Sequence, residues 1–359
     1  MASHKPLRLL IVMPSWVGDA VMATPTLRML RDGLRGSFIG GLMRPGIDEV
    51  MAGSLFFDQI HVERARGIMG PKLVANKVRP LQYDTAVLLT NSFSTALITR
   101  LAYIPRRIGY DRDGRGILLT QKLMPKRREG GRGFAPVPQV EYYVELARAV
   151  LGEDLPNGGR VPPMELGTTE AEERAAVEVL AKAGITGERP IAMLNPGGNN
   201  EAKRWPADRF AAVGAHLARD RGMDVVINGS PGEASLVEEI ARRIRETVSA
   251  GAVVAELPRL GITLGALKAI VRRCSLMVTN DTGPRHIAAA MRVPTVALFG
   301  PTDVRWTALP PGTPEVCLVA DPTLPSEEVA DDHPERCRID RITVEQVTAA
   351  VEQVLTVRR

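Results

Sequence analysis

Short apolar runs alternate with longer stretches of helical periodicity along nearly the whole 359-residue chain. In the first half, the strand-like runs are 7–13, 38–43, 59–62, 85–90 and 107–110. In the second half, they are 190–195, 224–229, 275–280 and 295–300. Alternation of this kind is typical of βαβ units, in which the strands of each sheet run parallel. The pattern therefore predicts an α/β protein built from parallel sheets.

The segment 152–168 is rich in proline and glycine, and a new strand–helix series begins after it. We therefore expect two Rossmann-like lobes, an N-terminal lobe over 1–165 and a C-terminal lobe over 166–342. The final helix, in 343–359, is a candidate to pack back on the first lobe. Two such lobes bind ligands at the carboxyl ends of their strands, in a cleft between them.

The short length of the apolar segments and the spacing of the cysteines both favour a cytoplasmic protein. No apolar run approaches the roughly 20 residues that a membrane helix needs. The N-terminal apolar stretch, 9–13, is short and is interpreted as a strand rather than a signal peptide. The three cysteines (Cys274, Cys317 and Cys337) have no CxxC spacing, so we expect neither a disulfide framework nor a zinc site. Cys274 is expected in a helix, as part of the core.

The net charge of +5 is concentrated in the N-terminal half. Residues 1–165 carry 23 Lys and Arg against 15 Asp and Glu. Between 100 and 132 there are ten basic residues: Arg100, Arg106, Arg107, Arg112, Arg115, Lys122, Lys126, Arg127, Arg128 and Arg132. This suggests an anionic partner: nucleic acid, a phosphorylated acceptor or an anionic membrane. A solvated loop face is the alternative. No nucleic-acid module is visible, so we expect no nucleic-acid partner.

Gly18 and Asp19 end a short motif, Pro-Ser-Trp-Val-Gly-Asp, between the first strand and the first helix. Gly18 allows a tight turn or a close approach of the backbone to a ligand. Asp19 lies near a helix N-terminus, where the helix dipole favours an ionised carboxylate. Two interpretations stand at this point: Asp19 is a general base, or it is a helix cap.

A second motif, residues 195–206, follows the first strand of the second lobe. Gly197 and Gly198 are expected to leave backbone N–H groups free for an anion. Asn199 and Asn200 tolerate left-handed turns and donate hydrogen bonds. Lys203 and the neighbouring arginine supply positive charge for a diphosphate. A polar surface loop is the alternative, because the spacing matches neither a Walker A loop nor GxGxxG.

A third motif, residues 280–286, joins a strand to a helix. Thr282 and Gly283 place donors at a helix N-terminus, which is an anion site. Asp281 and His286 are too few for a metal site, so no metal is expected. Glu233, after another strand, either accepts hydrogen bonds from a sugar or ribose hydroxyl or favours the start of its helix.

Together, five segments in this order resemble glycosyltransferase family 9, the bacterial lipopolysaccharide heptosyltransferases with the GT-B fold. The segments are 14–19, 90–97, 104–110, 195–206 and 279–283 with His286. The resemblance extends over about 7–355. Within the family, the Pro-Ser-Trp-Val-Gly-Asp and Asn-Ser-Phe segments most resemble the heptosyltransferases of type II.

The resemblance implies a donor, ADP-L-glycero-β-D-manno-heptose, held by the second lobe. It also implies a lipopolysaccharide inner-core acceptor, heptosyl-Kdo-lipid A, held by the first lobe. It assigns the general base to Asp19 and the neutralisation of the donor phosphates to Lys203. It assigns substrate binding to Gly18, Gly198, Asn199, Asn200, Glu233, Asp281, Thr282, Gly283 and His286. It further implies inversion, with neither a metal nor another cofactor.

Some positions depart from the family pattern. Residues 199–201 replace small or aromatic residues, and Pro284-Arg285 replaces an apolar or Ser/Met pair before the histidine. Segment 315–337 is expected to be acidic and irregular. These changes leave the transfer chemistry intact and bear on the choice of donor. The alternatives are a GT-B transferase or epimerase acting on another nucleotide sugar, and a nucleotide-sugar-binding protein without turnover. The basic first lobe makes the protein a candidate for peripheral contact with the cytoplasmic face of the inner membrane.

Overall fold

A computed structural model describes residues 6–65, 67–129, 133–248 and 251–356. The chain divides into two compact units, Met1–Gly167 and Thr168–Arg359, here called the N-terminal and C-terminal units. The division falls two residues after the boundary expected at 165.

The N-terminal unit contains a parallel six-stranded sheet in the order β3-β2-β1-β4-β5-β6. Residues 9–12 of its central strand are buried on both faces, as their continuous apolar run predicts. The strands are β1 (Arg8–Val12), β2 (Phe38–Met43), β3 (Gln59–Val62), β4 (Thr85–Leu88), β5 (Arg106–Tyr110) and β6 (Gln121–Leu123).

Helices connect the strands of this unit. They are α1 (Val17–Met22), α2 (Thr24–Gly33), α3 (Ile47–Met51), α4 (Gly70–Val78), α5 (Phe93–Leu101) and α6 (Gln139–Leu151). Helical periodicity over about 19–34 predicts a single helix there, but two helices occupy this stretch. They divide at Ala23, and Pro25 lies in the first turn of α2. Proline has no N–H to continue the preceding helix, so the division falls just before it.

The C-terminal unit contains a second parallel six-stranded sheet in the order β12-β11-β10-β7-β8-β9. Both edge strands lie where no strand was expected. The strands are β7 (Ile191–Asn195), β8 (Asp224–Ile227), β9 (Val254–Glu256), β10 (Cys274–Asn280), β11 (Thr295–Phe299) and β12 (Glu315–Val319).

Cys274 begins β10 rather than lying in a helix, so that expectation was wrong. Its side chain is nonetheless buried, and burial raises the pKa of its thiol to about 12.

The helices of the C-terminal unit are α7 (Glu170–Lys182), α8 (Ala207–Arg219), α9 (Ala234–Thr247), α10 (Leu264–Arg273), α11 (Gly283–Ala290) and α12 (Val344–Thr356). Thr169 caps α7 through a capping box with Glu172. The final helix, α12, was a candidate to pack back on the N-terminal lobe. Its apolar face is buried in the core of the C-terminal unit, through Val347 and Val351. This helix is therefore assigned to the C-terminal unit.

No helix among the described residues is long and apolar enough to cross a membrane. In each sheet, all strands run parallel, so the loops that follow them lie at one edge. The motifs around Asp19, Lys203 and Asp281 each follow a strand and therefore lie at the carboxyl edges of their sheets.

Candidate functional site

In the N-terminal unit, Asp19 is the third residue of α1, and Gly18 is buried beside it. The N-cap residue of this helix is Trp16, whose side chain makes no capping hydrogen bond. Asp19 is therefore not the N-cap residue of α1, although it lies in the first turn of the helix. Its half-buried carboxylate accepts a hydrogen bond at Oδ1 from the hydroxyl of Tyr143, at 3.3 Å.

Tyr143, which sequence reasoning missed, lies on α6 and is fully buried beside Asp19. Burial, together with the charge of Asp19, raises the pKa of Tyr143 well above its ordinary value. The phenol therefore stays protonated and donates to the carboxylate. The two residues are 124 positions apart, so no local motif could have joined them.

A second buried arrangement lies at the same edge of the N-terminal sheet. Arg115 is fully buried and donates to the backbone carbonyls of Thr90 and Tyr110 and to Oδ1 of Asn91. The hydroxyl of Tyr142 donates to the same Asn91 oxygen, at 3.0 Å. These contacts hold the loop after β4 against the loop after β5.

A cavity of about 460 Å³ lies within the N-terminal unit, lined in part by residues that follow β1, β2 and β4. Hydroxyl groups supply much of its polar lining, and one arginine and one glutamate add opposite charges. These polar residues are Ser15, Thr90, Ser92, Ser94, Thr95, Arg44 and Glu63. The cavity has the polarity that a ligand with several hydroxyl groups requires.

The basic segment 100–132 is less exposed than its composition suggests. Arg106 donates to Gln121 and the carbonyl of Ala149, and Arg107 donates to the carbonyls of Ile104 and Leu118. With the buried Arg115, these arginines hold loops together. The exposed cations of the segment are Arg100, Lys122, Lys126 and Arg127, and Arg132 lies outside the described residues.

In the C-terminal unit, the loop after β7 is held by Glu233. Its Oε1 accepts from the backbone N–H of Gly198 at 2.8 Å. Its Oε2 accepts from the backbone and the hydroxyl of Ser230, each at 2.8 Å. The amide of Gly198 is therefore not free for an anion, contrary to the prediction.

Glu233 thus fixes the loop after β7 through Gly198, and it forms a capping box with Ser230 at the helical turn Pro231–Glu233. Burial opposes its ionisation, but the hydrogen bonds from Ser230 and Gly198 outweigh burial and lower the pKa of Glu233. This geometry favours the helix-start alternative for Glu233. Contact between Glu233 and a ribose stays a prediction.

The two asparagines of the loop differ in their surroundings. Asn200 accepts a hydrogen bond from the backbone N–H of Ala202 at 3.0 Å and so begins the 3₁₀ turn Glu201–Lys203. Asn199 is exposed. Ligand contacts of both residues stay predictions.

Lys203 ends this turn and reaches Asp281, whose backbone follows β10. The Lys203 Nζ lies 3.3 Å from Oδ2 of Asp281. The carboxylate is buried, whereas the lysine side chain is 26% exposed. A lysine in this position can meet an anion while it stays paired with Asp281.

Arg285, not predicted as a site residue, contacts the other oxygen of Asp281. Its Nη1 donates to Asp281 Oδ1 at 3.1 Å and to Thr307 Oγ1 at 2.9 Å. Its other two nitrogens donate to Glu315 at 2.7 and 2.8 Å. Burial opposes the charge of Asp281, but Arg285 and Lys203 outweigh it and hold the pKa of Asp281 below its ordinary value.

The start of α11 follows Asp281 directly and contains the remaining predicted site residues of this motif. Thr282 precedes the helix, and its hydroxyl accepts a hydrogen bond from the side-chain amide of Asn195 at 2.8 Å. Gly283 is the first residue of the helix. His286 is buried, and burial lowers the pKa of His286 to about 3, with Arg285 acting in the same direction. Its ring is therefore neutral at physiological pH, and its buried Nδ1 has no hydrogen-bond partner among the described residues.

The C-terminal unit thus brings Lys203 and Asp281 into contact and places Thr282, Gly283 and His286 on the adjoining turn and helix. Gly198 and Glu233 form a neighbouring pair in the same unit. Gly18 and Asp19 belong to the N-terminal unit, and their meeting with Lys203 around one substrate stays a prediction. Within the described ranges, no three His, Cys, Asp or Glu side chains are grouped to hold a metal ion.

Comparison with known proteins identifies relatives along most of the chain. Residues 73–335 match glycosyltransferase family 9 (heptosyltransferase). The chain is 29% identical to lipopolysaccharide heptosyltransferase 2 of Escherichia coli K12, covering 84% of this chain and 85% of the relative.

Two solved structures share the fold. The structure of E. coli ADP-heptose LPS heptosyltransferase II has a TM-score of 0.78 and 24% identity, with 98% of this chain and 99% of the other covered. A glycosyltransferase family 9 structure from Veillonella parvula DSM 2008 has a TM-score of 0.80 and 23% identity, with 98% and 97% covered. The predicted α/β fold class, GT-B with two Rossmann-like units, is thus confirmed.

Proposed function

The chain belongs to glycosyltransferase family 9 (heptosyltransferase), and from this membership we propose that it transfers heptose from ADP-heptose to the inner core of lipopolysaccharide. The acceptor in this proposal is a heptosyl-Kdo-lipid A type molecule. The name of the E. coli relative, a lipopolysaccharide heptosyltransferase 2, supports this choice. The proposed reaction is inverting and requires no metal.

The observation that carries the proposal is the Lys203–Asp281 pair beside the start of α11. A departing ADP develops negative charge on its diphosphate, and a cation and a helix N-terminus stabilise such charge. Lys203 is partly exposed and therefore accessible to the phosphates. Its pairing with Asp281 limits its motion before the donor arrives.

In the N-terminal unit, the proposed general base is Asp19. The acceptor hydroxyl attacks the anomeric carbon, its proton passes to Asp19, and the bond between that carbon and the diphosphate oxygen breaks as ADP leaves with the electron pair. A positioned base contributes about 10²–10⁴-fold to the rate. The buried Tyr143 hydroxyl, which donates to Oδ1, supports a fixed orientation of the carboxylate.

The cavity in the N-terminal unit supports binding of a sugar acceptor. Its volume, about 460 Å³, and its hydroxyl-rich lining suit one or two sugar rings. Arg44 supplies a cation for an acidic sugar or a phosphate. We propose that this cavity holds the end of the acceptor.

Peripheral contact with the cytoplasmic face of the inner membrane is a further part of the proposal. Ile68 is 98% exposed, and Met69 and Leu73 near it are more than half exposed. The exposed Arg64 and Lys72 flank this apolar tip. Apolar side chains bordered by cations suit an anionic lipid surface, where a lipid-anchored acceptor is held.

A donor panel tests the proposal. Purified protein is incubated with ADP-heptose or with UDP-sugars, each with and without a truncated inner-core acceptor, and the released nucleotide is identified. We expect ADP release that requires the acceptor, and an α-linked product from the β-linked donor. A UDP-sugar converted without acceptor would indicate an epimerase. Tight ADP-heptose binding without ADP release would indicate a non-catalytic binding protein.

A further inference from the structure

Four charged side chains form a continuous series of contacts in the C-terminal unit. In order, they are Lys203, Asp281, Arg285 and Glu315. Arg285 is fully buried, and the carboxylates of Asp281 and Glu315 are 6% and 7% exposed. Only Lys203, at 26%, reaches solvent to an appreciable extent. The series therefore runs from an accessible ammonium to a buried ion pair.

The guanidinium of Arg285 is held in one orientation. Its Nε and Nη2 donate to the two carboxylate oxygens of Glu315, so the two planar groups face each other. This arrangement leaves Nη1 directed towards Asp281 and Thr307. A buried guanidinium is costly unless it is fully paired, and here each of its three nitrogens has an acceptor.

The two oxygens of Asp281 consequently have different partners. Oδ1 accepts from Arg285 and from the hydroxyl of Thr307, each at 3.1 Å. Oδ2 accepts from the ammonium of Lys203, at 3.3 Å. Fixing one oxygen fixes the plane of the carboxylate and hence the place where the ammonium of Lys203 rests.

We propose that Arg285 is a positioning residue for donor binding: it holds Asp281 so that Lys203 is placed to meet the diphosphate. Glu315 acts indirectly: it orients Arg285, which in turn holds Asp281. This inference rests on the proposed function, in which Lys203 contacts the donor phosphates. None of the sequence motifs assigned a role to Arg285 or Glu315.

Arg285 should also affect how ADP binding depends on pH. The charged groups that face Asp281 are Lys203 from the turn Glu201–Lys203 and Arg285 from α11. His286, also on α11, is neutral above about pH 3. Arg285 is the largest of the charges that oppose burial, so the pKa of Asp281 should rise when Arg285 is removed. A nearby opposite charge typically lowers a carboxyl pKa by about 1–3 units, and its loss should reverse that.

Binding of ADP, measured by calorimetry between about pH 7 and pH 4, tests the inference. We expect Arg285→Met to weaken ADP binding roughly ten-fold at neutral pH, the size expected for loss of a charged hydrogen bond. The variant should lose further affinity as the pH falls towards 4, because Asp281 becomes protonated and releases Lys203. Wild type should lose only the affinity that follows from protonation of the terminal phosphate of ADP itself, at about pH 6. Arg285→Lys should show an intermediate effect, since lysine retains the charge without the planar fork.

Two further variants separate positioning from structural support. Glu315→Gln should destabilise the fold without raising the pH at which affinity is lost, because Arg285 and its charge remain. The double variant Arg285→Met, Glu315→Gln should lose affinity at the same pH as Arg285→Met. If the double variant regained wild-type binding, Arg285 would serve only to neutralise Glu315 and the proposal would be wrong. Unchanged ADP binding in Arg285→Met would also overturn it.

Lys268→Met with Glu172→Gln is the matched control. This pair joins α10 to α7, with Lys268 fully buried, so its loss removes a comparable buried interaction from the same unit. We expect lower stability and an unchanged pH dependence of ADP binding. Because the probe is ADP, failure of heptose transfer in wild type would contradict the proposed function and leave the test of Arg285 intact.

Discussion

In the proposed reaction, Asp19 accepts the proton of the acceptor hydroxyl and Lys203 stabilises the charge on the diphosphate. Substitutions separate these two effects. Asp19→Asn removes the proton acceptor but keeps the size of the side chain. We expect turnover to fall by about 10²–10⁴-fold and ADP binding to stay near wild type. Lys203→Met should weaken ADP binding and turnover together. Steady-state transfer kinetics with calorimetry of ADP binding measure both.

Tyr143→Phe is the control for the Asp19 variant. It removes the hydroxyl that donates to Oδ1 and leaves the carboxylate in place. Its effect on turnover should therefore be smaller than that of Asp19→Asn. Near-normal turnover in a folded Asp19→Asn protein would end the general-base assignment.

His286 predicts a pH effect on stability. Its pKa is about 3 in the folded protein and 6.5 in an unfolded chain. Between these values the unfolded chain binds a proton that the folded protein does not, so stability present above pH 6.5 is lost as the pH falls towards 3. The loss should approach about 1.4 kcal/mol per pH unit.

Denaturant unfolding of wild type and His286→Asn across this pH range checks the effect. Because asparagine does not titrate there, the variant should show a shallower acid loss. Identical slopes in the two proteins would show that His286 does not account for acid sensitivity.

For single residues, local motifs were enough to select candidates but not their partners. Asp19, Lys203 and Asp281 stand in motifs that follow strands, so the sequence could name each of them as a candidate. Tyr143 and Arg285 could not, because their contacts depend on helices that return from elsewhere or on a distant strand. Gly198 was misjudged for the same reason, since its partner Glu233 lies 35 residues away.

Among the elements, the loop after β7 has no room for a side chain at Gly197. A Cβ there would lie 2.4 Å from Oε1 of Glu233, a carboxylate held by three hydrogen bonds. Gly197→Ala must therefore displace Glu233. We expect a loss of about 1–3 kcal/mol in the free energy of unfolding, because those hydrogen bonds are disturbed.

Gly198→Ala is the neighbouring comparison. Its Cβ would meet Thr282 at 3.4 Å, an ordinary contact, so its stability should stay close to wild type. Thermal or denaturant unfolding of both variants measures the difference. Equal stability of the two would mean that Glu233 does not constrain the loop.

Element prediction succeeded where apolar periodicity was strong. The buried strands β1, β2, β7 and β10 and most helices follow directly from it. The edge strands β9 and β12 escaped because an edge strand is short or only half buried, so its sequence carries little pattern. The division between α1 and α2 was missed although Pro25 marks it, because the apolar pattern continues through both helices.

For the whole molecule, the proposed membrane contact predicts salt-sensitive lipid binding. We expect more binding to vesicles with anionic lipid than to neutral vesicles. Raising the ionic strength from about 0.01 M to about 1 M shortens the Debye length from about 30 Å to about 3 Å and should release the protein. Vesicle sedimentation measures this. Strong binding that salt does not relieve would contradict a charge mechanism.

Alanine substitutions locate the binding surface. Replacing Arg64 and Lys72 removes the exposed cations that flank the apolar tip of the N-terminal unit. The matched control replaces Arg174 and Arg242, exposed cations of the C-terminal unit. Only the first set should weaken binding.

The two-unit α/β architecture and the family could both be predicted from the sequence, because motif order and strand–helix alternation extend along the chain. Charge was harder to interpret. Arg106, Arg107 and Arg115 contribute to the basic count, but their guanidinium groups bind carbonyl oxygens within the fold. Counting residues cannot separate such internal roles from a surface that binds an anionic partner.

Transfer of heptose to an inner-core acceptor must increase the mass of that acceptor, and this mass can be measured after the reaction. Wild-type protein is incubated with ADP-heptose and a heptosyl-Kdo-lipid A type acceptor, and acceptor mass and free ADP are measured together. We expect the acceptor to gain one heptose for each ADP released, and we expect Asp19→Asn nearly to abolish the gain. An acceptor of unchanged mass, with folded protein that binds ADP-heptose, would contradict the proposed transfer.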